Sequence, residues 1–316
     1  MDDARKETIH FDSAEGRTQI HGVIWWPEQE PRGVVQIVHG MAEHIMRYEP
    51  FALYLNERGF VVCGHDHLGH GRSVLSKERL GRLPLRGGSD VLVNDVDHMR
   101  RLMLERLDSP LPYFLFGHSM GSFVTRAYIS RNIYRNADNL AGAIICGTGH
   151  IAYPVSAVGN LLAQAIARVR GEDRVSKLLE NISVGAYSKA IDHARTPLDW
   201  LSHVRKNVDE YIADELCGFS FSAGGNASLT ALTREVCTKA CCKRVPHDLP
   251  LLYIAGADDP VGNNGKGVRI AARMAYEAGV EDVTCRIYEG MRHEILNEEH
   301  GERVMADVVL WMEKHL

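Results

Sequence analysis

Short runs of β-branched and aromatic residues at about 7–12, 19–26, 33–39 and 60–65 open the chain. Each has strand length, and a helical stretch from Tyr48 to Arg58 separates the last two. The amphipathic segment from Ser89 to Leu107 predicts a helix, Tyr113 to Gly117 a buried strand, the next stretch a helix reaching about Asn132, and Leu140 to Gly147 another strand. The alternation resumes with a strand at Leu249 to Ala255, a helix at Gly267 to Ala278, a strand at Val283 to Tyr288 and a closing helix from Glu299 to Leu316. Strands alternating with helices predict an α/β fold: a mostly parallel sheet of eight strands flanked by helices. The interval from His150 to Pro246 breaks the rhythm, because it is helix-patterned with no convincing buried strand. It reads as a helical insertion, 150–246, between late strands of a core made of 1–149 and 247–316.

A chain of 316 residues needs neither disulfide nor metal to hold a core, and its 45% hydrophobic and 24% charged residues place it among globular proteins. Lys and Arg number 36 against 41 Asp and Glu, for a net charge of −5 with no basic block, which argues against a nucleic-acid partner. The N-terminal MDDARKETIHF lacks the apolar segment of a secretory signal, and no run of about 18 apolar residues suggests a membrane span, so the expected location is the cytoplasm. Seven cysteines form an odd set that suits reduced thiols. Cys237, Cys241 and Cys242 lack a second Cys/His pair at zinc-finger spacing and read as helix-packing thiols.

The candidate chemistry begins at Gly117-His118-Ser119-Met120-Gly121, a G-x-S-x-G pattern that follows an apolar strand and opens a helix. The flanking glycines are needed because the turn leaves no room for side chains, and the helix beyond aims free N–H groups at any anion formed beside Ser119. A serine hydroxyl needs a base, and the base needs an acid to set its tautomer. On such folds both partners lie downstream: the acid after a late strand, the histidine after the last one. Leu251 to Pro260 supplies Asp258 and Asp259 for the acid, and Ile287 to Glu294 supplies His293 for the base. His118 reads as a local packing or hydrogen-bonding residue, while His300 and His315 fall in the final helix, too late for the role. An oxyanion hole needs two converging backbone amides. Met120, directly after the serine, supplies one, and Met41, after the strand ending Val38-His39-Gly40, the other. The cluster His65-Asp66-His67-Leu68-Gly69-His70 has ligand-type side chains, but a metal there would leave the serine, acid and histidine unexplained.

With HGMAEH, GHDHLGHGRS, GHSMG, AGADDPVG and EGMRHE in this order, the chain resembles the serine α/β-hydrolases of the monoacylglycerol lipase and lysophospholipase type, including the group labelled serine aminopeptidase-like. The resemblance covers most of 10–148 and 247–316. It implies the α/β-hydrolase fold, a triad of Ser119, Asp259 and His293, oxyanion amides at Met41 and Met120, and no cofactor. Asp259 is chosen over Asp258 because the family pattern sets the acid directly before Pro260-Val261. Ser122 stands where a second glycine commonly follows the elbow. The insertion corresponds to the family's variable cap, which the resemblance would place over the serine. Val155, Val158, Leu161, Leu162, Ala165, Ile166 and Val169 recur there at helical spacing, with Leu162 and Ile166 as candidate substrate contacts.

These features imply a carboxylic ester hydrolase that forms an acyl-enzyme on monoacylglycerols, lysophospholipids or similar acyl esters. The implied partner is a small acyl ester; a peripheral membrane contact through the cap is admitted, and the oligomeric state is left open. Two rivals remain. One is an aminopeptidase that would hold a substrate ammonium with cap acids such as Glu172, Asp173 or Asp214. The other is a non-catalytic binding protein on a hydrolase scaffold.

Overall fold

A computed structural model of the chain describes residues 5–131 and 140–316. Eight strands form its sheet: β1 (Lys6–Asp12), β2 (Gln19–Trp25), β3 (Gly33–Val38), β4 (Phe60–His65), β5 (Tyr113–His118), β6 (Leu140–Cys146), β7 (Leu251–Gly256) and β8 (Val283–Tyr288). Their spatial order is β1-β2-β4-β3-β5-β6-β7-β8. Only β1 with β2 and β2 with β4 pair antiparallel; the other pairs are parallel. Every residue of β3, β4, β5 and β7 is buried, as expected for parallel strands covered on both faces.

The helices in chain order are α1 (Glu49–Asn56), α2 (Gly88–Leu104), α3 (Met120–Arg131), α4 (Tyr153–Arg170), α5 (Lys177–Ile182), α6 (Val184–Lys189), α7 (Arg205–Ala213), α8 (Ala223–Val236), α9 (Lys239–Cys242), α10 (Lys266–Glu277) and α11 (Gly301–Met312). The alternation of side chains along each strand decides which helix covers which face. Val34, Val61, Leu115 and Ala143 join a core with α2, α3 and α10, whereas Val35, Val62, Phe114 and Ile144 point the other way onto α1 and α11. The helix expected to reach Asn132 is seen to Arg131, and Asn132 lies outside the described residues. The closing helix is shorter than expected: His300 caps it, and Glu313–His315 tighten into a 3-10 turn.

Between β6 and β7 run α4 to α9. The last part of this interval packs against the main core. Leu232, Val236, Cys237, Cys241 and Val245 belong to the same buried cluster as α2 and α3, so α8 and α9 complete the main core. Ser222 caps α8 by accepting the Gly225 N–H at 3.1 Å, a contact worth about 1 kcal/mol. The three cysteines Cys237, Cys241 and Cys242 are buried and free, as packing thiols are.

The His65 to His70 segment holds no assembled metal-ligand set among the described residues. Asp66 is spent on His21 Nδ1 (3.0 Å) and the backbone N–H groups of Ile45 (2.8 Å) and Arg72 (2.9 Å). Burial pushes the pKa of both His65 and His70 down to about 3, and neither ring nitrogen of His65 has a partner. These imidazoles fold neutral, whereas the unfolded chain binds protons below about pH 6.5, so stability falls as pH drops through that value towards 3. At pH 5 the His65 contribution amounts to about 2 kcal/mol. His65→Leu should therefore narrow the gap in melting temperature between pH 7.5 and pH 5. An unchanged gap in thermal unfolding scans would show that His65 does not set the acid limit.

Candidate active site

Ser119 sits at the turn between β5 and α3 with φ of 53°, a left-handed conformation that side chains rarely adopt. The neighbouring glycines explain how the turn closes. A Cβ on Gly121 would lie 1.9 Å from the Val38 carbonyl oxygen, and one on Gly117 2.3 Å from Thr125 Oγ1. The strained turn is pinned by Ser119 N–H to Cys146 O at 3.0 Å and by Ser122 N–H and Oγ–H, both donating to Ser119 O, at 2.9 and 2.6 Å. Ser122 thus does local work at the position where a glycine is common. Met120 opens α3, so its amide has no carbonyl one turn earlier in the helix to bond.

His293 follows β8, and its Nδ1 donates to Asp259 Oδ2 at 2.9 Å, with both side chains almost fully buried. The other Asp259 oxygen accepts the Val261 N–H at 2.9 Å, which fixes the carboxylate. Asp258 is oriented differently: its Oδ2 meets His203 Nε2 at 3.0 Å and it is about half exposed. Trp200 lies against the His293 ring with centroids 5.1 Å apart, and Tyr187 lies against Trp200 at 5.2 Å. Arg292 Nη1 holds the Trp200 segment by donating to Asp199 O at 2.7 Å.

The oxyanion loop after β3 is set from beneath. His39 Nδ1–H donates to Gly40 O at 2.8 Å and its Nε2 accepts the His67 N–H at 3.0 Å, a pairing that requires the neutral ring. Burial depresses the His39 pKa in the same direction. Because carbonyl and amide of one peptide point opposite ways, anchoring Gly40 O turns the Met41 N–H away from His39. The Cβ position of Gly40 lies 3.1 Å from Ser119 Cβ, so this loop abuts the serine.

Behind the site lies a buried charge network that sequence reasoning missed. Glu43 accepts from Gly40 N–H (2.5 Å), Tyr48 O–H (2.8 Å) and Arg47 Nη1 (2.8 Å). Arg47 continues to both oxygens of Glu294 at 2.6 and 2.8 Å, and Asn207 of α7 donates to Glu294 at 2.7 Å. His118 faces only acceptors: Nε2 meets His293 O at 3.3 Å and Nδ1 meets Glu43 Oε1 at 3.3 Å and the Tyr48 oxygen at 2.8 Å. Burial opposes its protonation, but the Glu43 hydrogen bond and charge outweigh that and raise its pKa. Burial likewise opposes ionisation of Glu43 and Glu294; His118 and Arg47 overcome it for Glu43, and Arg47 for Glu294, so both carboxyls stay low. The one available signal was adjacency: Glu294 directly follows His293, and Glu43 lies two residues after Met41.

Met41, Ser119, Met120 and His293 line one cavity of about 550 Å³, with Asp259 buried behind His293. Its other walls include Phe123, Tyr187, Leu198, Trp200, Phe219 and Leu229. Leu162 and Ile166 are not among the lining residues. They are half-buried against the cluster of Ala163, Ala167, Leu179, Ala223 and Ala227, where α4 packs on α8. Glu172, Asp173 and Asp214 do not line the cavity either; they engage the Leu85 amide, Arg79 and His44 respectively.

The family described as Serine aminopeptidase, S33 matches residues 29–300. The monoacylglycerol lipase of Mycolicibacterium smegmatis is 29% identical over 314 residues, covering 97% of each chain. The monoglyceride lipase of Homo sapiens is 26% identical, covering 96% of this chain and 89% of its own. A thermostable carboxyl esterase of Bacillus coagulans, solved with glycerol, superposes with a TM-score of 0.90 at 27% identity over 99% of both chains. The expected fold and resemblance are thus both met, and the chain is a serine ester hydrolase that belongs to the serine aminopeptidase family of α/β-hydrolases, on its monoacylglycerol lipase-like side.

Proposed function

We propose that the chain hydrolyses monoacylglycerols and related acyl esters through an acyl-enzyme. Ser119 Oγ attacks the ester carbonyl as His293 takes its proton, Asp259 fixes the His293 tautomer, and the Met41 and Met120 amides hold the oxyanion. His293 then returns the proton to the leaving alcohol, and water repeats the sequence to free the acid. The observation that carries this reading is His293, held by buried Asp259, lining the same cavity as Ser119, in a space large enough for an acyl chain. Leu198, Phe219 and Leu229 supply apolar wall, while Glu43 and Glu294 give the cavity a polar side suited to glyceryl hydroxyls.

We place the cap at α4 to α7, whose residues Val184, Tyr187 and Tyr211 contribute to the cavity wall. Val155, Val158 and Leu161 of α4 are each about 65% exposed, and Leu178 and Ile182 are also open to solvent. Such a patch suits contact with a lipid surface from which an acyl glycerol is drawn.

An ester chain-length panel tests this reading. Each methylene buried contributes about 0.8 kcal/mol, so kcat/KM should rise roughly four-fold per carbon until the cleft is full. Leu198→Asp or Leu229→Asp should selectively weaken the long-chain esters, and Leu162→Asp should not, while Val158→Glu should slow only substrate offered in phosphatidylcholine vesicles. Equal rates on acetyl and decanoyl esters would overturn the lipase reading, and faster cleavage of aminoacyl-arylamides would favour an aminopeptidase.

A further inference from the structure

Where the cap meets the oxyanion loop, three different donor side chains converge. His44 follows Glu43 on that loop, whereas Asp214 and Cys217 lie on the turn that ends α7. His44 Nε2 and Asp214 Oδ2 are 2.8 Å apart, and these two atoms and Cys217 Sγ all lie within 4.8 Å of one another. Among the described residues this is the only group of three or more such donors gathered so closely. The turn is built to present it. Asp214 Oδ1 accepts the Leu216 N–H at 2.8 Å and Asp214 O accepts the Cys217 N–H at 3.0 Å, which leaves Oδ2 for His44. Arg47 hydrogen-bonds Glu43 and Glu294 rather than Asp214, although its charge reaches Asp214 and Cys217.

We propose that His44 Nε2, Asp214 Oδ2 and Cys217 Sγ form a binding site for a borderline-soft divalent cation, best matched by Zn2+, that fastens the cap to the oxyanion loop. The donor set is of the mixed nitrogen, oxygen and sulfur kind that zinc accepts, and three protein ligands leave a fourth position for water. Tetrahedral coordination at about 2.0–2.3 Å places ligand atoms roughly 3.3–3.7 Å apart, so the cluster needs only small shifts. The proton balance is definite. The His44 proton moves to Nδ1, freeing Nε2, and the Cys217 thiol releases its proton to solvent, so binding tightens as pH rises. The consequence lies in the cap. Ala42 O already accepts from Gly218 N–H at 2.9 Å and Tyr211 O–H at 2.7 Å, and an ion at His44 would lock the same two segments beside Met41.

The test uses full-length, chelator-dialysed protein titrated with Co2+, then with competing Zn2+. The expected result is a thiolate-to-cobalt charge-transfer band in the near ultraviolet at one ion per chain, displaced by Zn2+. Cys217→Ser should abolish the band, and Asp214→Asn should weaken binding at least ten-fold. Saturating Zn2+ should raise the melting temperature of the parent by about 3 °C or more and leave Cys217→Ser unmoved. Absence of the band in the parent, or its persistence in folded Cys217→Ser, would overturn the proposal. Neither readout depends on catalysis, so the outcome stands apart from that of the ester panel.

Discussion

Ser119→Ala is expected to lower ester turnover by about 10³-fold or more while the protein keeps its melting temperature. The hydroxyl is the atom that forms the acyl bond, and the turn supplies no replacement, because its neighbours are Gly117, His118, Met120 and Gly121. Ser122 does not substitute, since its hydroxyl is committed to Ser119 O at 2.6 Å. Stability should hold because alanine meets the same cost as serine at φ of 53°, and the pinning bonds use backbone atoms of residue 119. Steady-state hydrolysis of a medium-chain ester, paired with a thermal scan, checks both halves. A folded variant with near-parental activity would remove Ser119 from the mechanism.

The second large effect separates two adjacent carboxylates. Asp259→Asn should cost on the order of 10³–10⁴-fold in kcat, because an amide at that position favours the wrong tautomer of His293 and cannot stabilise its imidazolium. Asp258→Asn should stay within a few-fold, since that side chain is half exposed and pairs with His203, and such surface pairs contribute about 0–1 kcal/mol. Asp259 has no such freedom, being fully buried with one oxygen on His293 and the other on the Val261 amide. Kinetics of both variants at one pH settle the ranking, and the reverse order would transfer the role to Asp258.

The elements that carry these residues were legible because each rests on local patterning. Buried parallel strands read as continuous apolar runs, and all eight appear close to their expected bounds. Ser119, Asp259 and His293 could be nominated from the loops after β5, β7 and β8, because strand ends on one edge of a parallel sheet converge whatever the chain between them does. Apolar periodicity on α4 was visible, but it did not mark the packed face: Val155, Val158, Leu161 and Val169 are exposed, and α4 buries the small residues Ser156, Asn160, Ala163 and Ala167 instead. Leu162 and Ile166 pack against a cluster shared with Ala223 and Ala227 of α8, while much of the cavity wall comes from segments 180–189, 197–201 and 218–221, which carry weaker patterns. Sequence also does not reveal how the end of the interval packs: α8 is as helical as its neighbours in the insertion, and only the structure shows it against α2 and α3. The Glu43–Arg47–Glu294 network joins residues up to 247 positions apart, and no local period encodes such a pairing.

The central claim is that Ser119, activated by His293 and Asp259, is the nucleophile of the cavity. Fluorophosphonate labelling followed by peptide mass spectrometry addresses it directly, since the probe bonds covalently to an activated serine. The predicted result is a single adduct on Ser119, lost in Ser119→Ala and strongly slowed in His293→Ala and Asp259→Asn. An adduct on another residue, or labelling of Ser119 at the same rate without His293, would contradict it.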